Sequence, residues 1–335
     1  MNDPGLPDPS PVPRLSVVIV NYDSWDDVSR LVDVLGTSPP VREGRSRILV
    51  VDNASPSPIP DALRSPPLGV SLIFREENGG FAVGVNAGWN ASRGSWLLVL
   101  NPDVVADAGF IGEVLDRIER DESRPDERPP GIVGFGLRNP DGSPQPSVGR
   151  FPSLSLTLRE QVIPRSRRKY QPDHRVRPGP VPWVTGACVL LHPAMLEEVG
   201  GMDEDFFLYY EEVDLCRSAA NRGWRVEFDP SIHVDHLRPL QNRPISPKMR
   251  IITRHSKLLY FRKHLPHWQF RGLALIVSAE VTLRGAWARV RGDRPSTGSW
   301  RAIGQVVRRL VAGDQTLRGR KVLELAESAI ADEGR

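Results

Sequence analysis

The chain has 335 residues, of which 39% are hydrophobic and 25% charged. This composition is typical of a soluble globular protein and excludes a fibrous or wholly disordered chain. Two cysteines are too few for a disulfide framework or a cysteine-rich zinc site, which favours a reducing, cytoplasmic location. No run approaches the roughly 20 apolar residues that span a bilayer. The proline-rich segment 1–13 is predicted to be a flexible arm without a signal-peptide core.

The net charge of +3 conceals a division along the chain. Residues 240–321 carry 18 Lys+Arg and 3 Asp+Glu, a net charge of +15, whereas the rest of the chain carries −12. Inside this basic tail, apolar residues recur at helical spacing beside arginines: Trp300, Ile303, Val306, Val307 and Leu310. Such a helix either lies on an anionic membrane surface or caps the fold with solvated arginines, and both interpretations stay open. Nucleic-acid binding is not expected, because the tail contains no recognisable nucleic-acid module.

The first half of the chain alternates short β-branched runs with helical patterns. Strands are predicted at 15–20, 48–51, 70–74, 96–100 and 131–137, and helices at 26–35, 81–91 and 108–120. This alternation predicts an α/β fold whose central sheet is mostly parallel and flanked by helices. Farther along, the patterns predict one buried strand at 183–191, a helix at 211–222 and a strand at 224–228.

Polar residues follow four of the predicted strands: Asn21, Asp52-Asn53, Asn78-Gly79 and Asn101-Pro102-Asp103. Because ligands bind at the carboxyl ends of parallel strands, these residues predict a single crevice lined with hydrogen-bonding groups. A nicotinamide-binding fold is excluded, because the turn after the first strand, residues 21–25, contains no glycine. Asp103 is either a ligand for Mg²⁺ or Mn²⁺ or the N-cap of a helix.

Acidic and aromatic residues cluster between 203 and 217. Glu211 and Glu212 either complement the dipole of a helix that begins there or act as a general base with a raised pKa. Asp214 and Arg217 are spaced to pair on that helix. His233 and His236, which follow the next predicted strand, are metal ligands or surface residues.

Together these residues resemble the family 2 glycosyltransferases, in particular their bacterial rhamnosyltransferase-like branch. The resemblance runs through residues 15–22, 51–55, 78–82, 100–103, 183–187 and 201–217, with a last match at 254–256 and 263–264. It implies the GT-A fold of nucleotide-diphospho-sugar transferases. The implied organisation is a transferase domain at 14–239, with a nucleotide-binding half at 14–137 and an acceptor-binding half at 138–239. A basic helical extension follows at 240–335.

The resemblance also implies roles for individual residues. Donor-nucleotide contacts fall to Asn21, Asp52, Asn53, Asn78, Gly79 and Asn101, and acceptor or sugar contacts to Trp183, Gly186 and Asp203. Asp103 and His236 are the implied ligands of Mg²⁺ or Mn²⁺, with His233 as the rival histidine. Asn101 stands where the family has the first Asp of its Asp-x-Asp motif, which predicts a lower metal affinity. Glu212 is the implied base, and Glu211 remains open because the family has Glu-Asp where this chain has Glu211-Glu212.

The expected function is therefore transfer of a sugar, with rhamnose favoured, from a nucleotide diphosphate donor with inversion at the anomeric carbon. The donor base, thymine or uracil, stays open. The expected acceptor is a lipid-linked or cell-surface glycan, and the expected location is the cytoplasm or the inner face of the plasma membrane. Because Asn101 and Glu212 depart from the family motifs, a sugar-nucleotide-binding protein without turnover is the alternative.

Overall fold

The computed structural model describes residues 12–92, 96–124, 128–160, 177–238 and 244–331. The predicted arm, residues 1–13, lies outside these ranges except for its last two residues. The described chain contains a ten-stranded sheet and a separate two-stranded sheet. The strands are β1 (Leu15–Asn21), β2 (Ser46–Asp52), β3 (Val70–Phe74), β4 (Trp96–Leu100), β5 (Val104–Val105), β6 (Ile132–Arg138), β7 (Pro144–Gln145), β8 (Val148–Gly149), β9 (Gly179–Pro180), β10 (Trp183–Val184), β11 (Cys188–Leu191) and β12 (Val226–His236).

The main sheet confirms the predicted parallel core. Its order is β3-β2-β1-β4-β11-β6-β12-β5, with β7 beside β6 and β9 beside β12. Strands β1 to β4 pair in parallel, whereas β11 runs antiparallel between β4 and β6. The register sets Asn21 directly opposite Asp52. The polar residues that end these strands therefore lie along one edge of the sheet, where the sequence predicts a crevice.

Twelve helices surround the sheets in the described residues. They are α1 (Trp25–Leu35), α2 (Pro39–Arg42), α3 (Asp61–Arg64), α4 (Phe81–Ala91), α5 (Phe110–Glu122), α6 (Leu154–Glu160), α7 (Pro193–Val199), α8 (Glu211–Asn221), α9 (Pro247–His264), α10 (His267–Val290), α11 (Arg294–Val311) and α12 (Arg320–Ala331). Alternate residues of β1 divide the core in two, as strand periodicity requires. Val17 and Ile19 join a cluster with α1 and α5, whereas Val18 and Val20 join one with α4, α8 and the C-terminal helices.

Two glycines let α4 approach the sheet closely. A Cβ at Gly84 would lie 2.5 Å from Val20 Cγ1, and one at Gly88 would lie 2.6 Å from Val18 Cγ1. Any larger residue would push the helix off β1. This close contact fixes the first turn of α4 against the edge of the sheet where the polar residues gather.

Two predicted elements differ from the structure. The single strand predicted at 183–191 is wrong: β10 pairs with β8 in the small sheet, and β11 pairs with β4 and β6 in the main one. The chain changes sheets around Gly186, where a glycine weakens a continuous strand. The strand predicted at 224–228 extends to His236, with a register shift between Asp229 and His233. His233 and His236 therefore lie within β12 rather than after it.

The C-terminal residues form the helical extension that the sequence predicts. Helices α9 to α12 share one continuous hydrophobic cluster with the sheet and α8. The apolar face of α11 is buried in that cluster, because Trp300, Ile303, Val306, Val307 and Leu310 are at most 6% exposed. Of the two interpretations of this helix, the structure favours the cap with solvated arginines. No helix among the described residues is long and apolar enough to cross a membrane.

Candidate active site

The ends of β1 and β2 are joined by a buried network of side chains. Asn21 Nδ2 donates to Asp52 Oδ1 at 2.8 Å and to Ser55 Oγ at 3.1 Å, while Asn21 Oδ1 accepts from the Ser24 amide. Ser55 returns two bonds to the Asp52 carboxylate, one from its hydroxyl and one from its amide. Both polar atoms of the Asn21 side chain are thus hydrogen-bonded within the protein, and they hold the two loops at a fixed spacing. Within the described part of the chain, Asp52 Oδ2 accepts a hydrogen bond from the Ser55 amide alone, so one of its lone pairs remains for a ligand.

The turn after β2 is linked by hydrogen bonds, through residues 78–81, to the acidic segment 203–217. Asn53 Nδ2 donates to Asn78 Oδ1 and to the Gly80 carbonyl, and the Gly79 amide donates to Asn53 Oδ1. Gly80 has φ +98°, and a Cβ there would lie 2.2 Å from the carbonyl oxygen of Phe207. The amide of the next residue, Phe81, donates to that same carbonyl at 3.0 Å. Only glycine fits at position 80, and its backbone joins the nucleotide half to the segment that carries the glutamates.

The turn after β4 places Asp103 beside His236. The Asn101 amide donates to the Ala187 carbonyl, which fixes the start of the turn. β5 follows at once and pairs with β12, with Val104 opposite His236. His236 Nε2 lies 3.4 Å from Asp103 Oδ1, and both side chains are buried. His233, the rival histidine, is exposed and pairs in register with Gly136 instead.

A chain of hydrogen bonds sets the proton on the His236 ring. The pKa of the Asp141 carboxyl is lowered by bonds from the Ser143 hydroxyl and amide, so this carboxylate is ionised and only accepts. The Ser143 oxygen then accepts from Asn139 Nδ2, and Asn139 Oδ1 accepts from Gln145 Nε2. Gln145 Oε1 consequently faces His236 Nδ1 at 2.7 Å and must accept from it. This network assigns the proton to Nδ1 and leaves Nε2 toward Asp103.

This arrangement fits a divalent cation. A neutral His236 turns its Nε2 lone pair toward a carboxylate, which is repulsive unless a cation lies between them; a protonated His236 pairs with Asp103 directly. Burial raises the pKa of Asp103, but the hydrogen bond and charge of His236 and the charge of Arg238 outweigh it and leave that pKa lowered. Two donor atoms 3.4 Å apart can share an ion that binds oxygen and nitrogen at about 2.1 Å. Within the described ranges, no group of three or more His, Cys, Asp or Glu side chains is placed to hold a metal ion, so the remaining ligands would come from substrate or water.

The two glutamates begin α8 in a buried setting. Glu211 is 5% exposed and Glu212 is 8% exposed. The residues before them, Tyr209 and Tyr210, have φ of +67° and +73°, a left-handed conformation that side-chain-bearing residues rarely adopt. A Cβ at Gly186 would lie 3.6 Å from Glu212 Cβ. Since the neighbouring Ala187 carbonyl binds Asn101, segment 186–187 connects the glutamates to the turn that carries Asp103.

Two of the predicted acceptor residues form hydrogen bonds with the protein itself. Trp183 is 1% exposed, and its indole nitrogen donates to the Arg150 carbonyl, so its ring packs in the core. Asp203 accepts from Lys263 Nζ at 2.6 Å and from the Asp205 amide. The predicted pairing of Asp214 with Arg217 is wrong. Asp214 instead binds Lys263 and His264 of α9, at 2.9 and 2.6 Å.

Several site residues give no signal in the sequence alone. Arg238 pairs with Asp27 and lies 3.8 Å from Asp103 Oδ2. A cavity of about 580 Å³ opens beside this pair, between the start of α1 and residues 57–60. Arg30 and Arg238 both line it. Asp27 and Arg238 are far apart along the chain, and only the folded sheet brings them together.

Known proteins share this architecture. A mannosyltransferase from Pyrobaculum calidifontis, solved with GDP-Man and Mn²⁺, superposes with a TM-score of 0.51 at 16% identity, covering 98% of this chain and 90% of that one. GalNAc-T7, solved with UDP, GalNAc and Mn²⁺, gives 0.53 at 17% identity over 75% of this chain, which spans 48% of that protein. The fold is therefore that of the GT-A glycosyltransferases.

Sequence similarity narrows the class. Residues 16–200 match the family described as "Glycosyl transferase family 2". The chain is 30% identical over 246 residues to the N-acetylglucosaminyl-diphospho-decaprenol L-rhamnosyltransferase of Mycobacterium tuberculosis, covering 66% of this chain and 75% of that protein. The chain belongs to glycosyl transferase family 2.

Proposed function

We propose that this glycosyltransferase moves a rhamnosyl group from a nucleoside diphosphate donor to a lipid-linked or cell-surface glycan, with inversion at the anomeric carbon. The observation that carries the proposal is the buried pair of Asp103 and His236, oriented at the carboxyl end of the sheet by Gln145. Such a pair suits the departure of a diphosphate. The M. tuberculosis relative is named for a rhamnosyl transfer to a lipid diphosphate, which supports the choice of sugar and acceptor.

The donor lies, in this proposal, across the strand ends. Asp52 offers its remaining acceptor capacity to the nucleoside, while Asn21 and Asn53 hold the loops that shape the pocket. Asn78, Gly79 and Asn101 border the diphosphate. The cavity beside Arg30 and Arg238 offers room for the same ligand, but Asp23, Asp26 and Asp27 line it as well, so it carries no net positive charge. Asp103 and His236 would hold Mg²⁺ or Mn²⁺, and the ion would neutralise charge on the leaving diphosphate. The spacing of the two side chains and the proton on His236 Nδ1 support this role.

Glu212 is proposed as the base that takes the proton from the acceptor hydroxyl as that oxygen attacks the sugar. Its burial and its position against Gly186 support this role. Glu211 remains the rival. Gly186 leaves space for the acceptor next to Glu212, whereas Trp183 and Asp203 act by positioning: one packs beneath the site and the other binds Lys263.

The deciding experiment separates donor binding from transfer. Glu212→Gln and Glu211→Gln are compared with the unmodified chain, and with Glu197→Gln on the exposed face of α7 as a control. Calorimetry with dTDP and UDP, each with Mn²⁺, measures binding, and mass spectrometry of a polyprenyl-diphosphate glycan acceptor measures transfer. We expect Glu212→Gln to bind the nucleotide within about two-fold of the parent and to lose about 10³-fold in kcat.

Each other outcome has a meaning. A fully active Glu212→Gln with an inactive Glu211→Gln would reassign the base. Full activity in both would refute general-base catalysis by this segment. Tight nucleotide binding with no transfer to any acceptor would leave a sugar-nucleotide-binding protein. Tighter binding of UDP than of dTDP would overturn the rhamnosyl donor, since it would point to a uridine diphosphate sugar.

A further inference from the structure

Helix α10 is apolar on two opposite faces, and the residues that the structure describes cover only one of them. Phe270, Leu273, Ala274 and Val277 pack into the core. The other face exposes large apolar side chains: Trp268 (65%), Leu275 (72%), Leu283 (72%), Trp287 (57%) and Val290 (86%). At 100° per residue these five fall within an arc of about 120°, roughly opposite the buried face. We call them the α10 stripe, which runs about 33 Å along the helix.

The charges around the α10 stripe are predominantly positive. Arg271 and Arg289 are exposed along one margin of the stripe, and the guanidinium of Arg291 lies 3.6 Å over the ring of Trp287. Glu280, the one acid of this helix, is paired with Arg254 at 2.7 Å and with Arg284 at 3.1 Å. Between residues 267 and 311 the sequence has eight arginines and two acids. The stripe thus presents apolar side chains framed by cations, with its single acid neutralised.

We propose that the α10 stripe lies flat on the surface of an anionic bilayer, with its apolar side chains among the upper acyl chains and its arginines among the headgroups. Tryptophan, leucine and valine on one face with arginine at the margin is the pattern of helices that lie in the membrane interface. The other side of α10 is anchored in the core, so the helix contacts the bilayer as part of the folded protein and needs no refolding.

A lipid surface fits better than a second copy of this chain. A two-fold dimer through the α10 stripe would bring Arg271 and Arg289 of one copy against the same arginines of the other, and like charges in an interface oppose association. Anionic headgroups supply the missing negative charge. The apolar face of α11, the other candidate for a membrane contact, is buried, so α10 provides the contact instead.

This inference deepens the proposed function and rests on it, because a lipid-linked acceptor is presented at a bilayer. The binding of the full chain to vesicles is tested without donor or acceptor, so its outcome is independent of transfer. Conversely, transfer to a water-soluble acceptor analogue is measured without vesicles. Failure of one assay therefore does not imply failure of the other.

The experiment measures co-sedimentation of the full chain with vesicles of phosphatidylcholine alone and with vesicles that also contain phosphatidylglycerol, which supplies the anionic headgroups. The test variant is L275S/L283S, which replaces two leucines that are both 72% exposed. The control is L68S, which replaces a leucine that is 80% exposed on another part of the surface. A charge variant, R271E/R289E, tests the cationic margin.

We expect the parent and L68S to bind anionic vesicles equally and L275S/L283S to bind at least ten-fold more weakly. R271E/R289E should lose binding to anionic vesicles, and the parent should bind phosphatidylcholine weakly. Equal binding by L275S/L283S and the parent would overturn the proposal. So would light scattering that shows a dimer for the parent and a monomer for L275S/L283S without vesicles, since the stripe would then be a protein interface.

Discussion

At the scale of single residues, the site depends on side chains whose orientation is fixed by neighbours. Tyr209 and Tyr210 both hold positive φ immediately before Glu211, a conformation that costs about 1–3 kcal/mol at each residue. The surrounding packing must sustain it: the rings of Tyr210 and Tyr260 lie 5.8 Å apart. The backbone before the two glutamates would therefore relax to another conformation if α9 were removed.

Gln145 orients His236, and its replacement should weaken metal binding. Gln145→Leu removes the acceptor for the Nδ1 proton, so the ring loses both its tautomer and its orientation. Loss of such a partner lowers metal affinity about 10- to 100-fold. Titration of Mn²⁺ by calorimetry in the presence of the nucleoside diphosphate measures this directly. Gln305→Leu, at an exposed position on α11, should leave the affinity unchanged, and an unaltered Gln145→Leu would remove Gln145 from the site.

The sequence indicates some of these residues but not others. Asp103 and His236 are recognisable because a carboxylate after a strand and a histidine near the next one match a known motif. Gln145 has no such signal, since nothing in its proline-rich surroundings indicates that β7 will place it against β12. The choice between His233 and His236 likewise needs the register shift in β12, which shifts the face on which later side chains point.

At the scale of elements, α9 connects the helical extension to the segment that precedes Glu211 and Glu212. Ser256 donates to the Leu208 carbonyl at 2.9 Å. His255, fully buried beside it, binds the Leu317 carbonyl at 2.9 Å through Nε2, which must donate. Both contacts come from residues 254–256, a stretch that resembles the family. In this structure these residues hold neighbouring segments together.

Stability should fall in mild acid because of His255. Burial lowers the pKa of His255 from 6.5 to about 4. As the pH falls, the unfolded chain therefore takes up a proton at His255 before the folded chain does. The contribution of the neutral, buried His255 to stability is complete above about pH 6.5 and declines as the pH falls from about 6.5 to 4. The full loss is about 3 kcal/mol. Urea unfolding at several pH values should show this slope, and it should flatten in His255→Gln but persist in His267→Gln, whose histidine is exposed.

Most elements of the sheet could be predicted, because β-branched runs and helical patterns alternate regularly up to residue 137. β3, β4 and α4 match their predicted bounds residue for residue. The prediction fails at 183–191 and in β12, where an apolar run alone does not show which sheet a strand joins. Sheet membership depends on partners distant in sequence, which a local pattern does not contain.

At the scale of the whole molecule, the acidic body and the basic extension are joined by ion pairs and hydrogen bonds. Lys263 binds Asp203 and Asp214, His264 binds Asp214, and the Gly319 amide donates to the Asp205 carbonyl. Arg320 reaches Glu77 next to the Asn78 loop at 3.4 Å. Together with the shared hydrophobic cluster, these contacts make the helical extension part of the same folding unit as the sheet.

Lys263→Met should therefore destabilise the sheet as well as the helices. The Asp214 side chain is only 2% exposed and would lose its ion pair with Lys263, which costs about 2 kcal/mol when discounted for the partial exposure of Lys263. Hydrogen exchange by mass spectrometry should show the same loss of protection in β4 and in α11. Lys248→Met removes an exposed pair with Glu327 and should change stability by less than about 0.5 kcal/mol. A loss confined to α11 would mean that the two parts unfold separately.

The separation of charge, +15 on residues 240–321 against −12 on the remainder, gives the folded molecule a large electric dipole. Near an anionic bilayer such a dipole experiences a torque, which turns the cationic helices toward the lipid and the acidic body toward water before any side chain inserts. The molecule then arrives already oriented, with α10 leading. This alignment acts over about one Debye length, 8–10 Å at physiological salt, so added salt should slow productive arrival more than it weakens the apolar contact once formed.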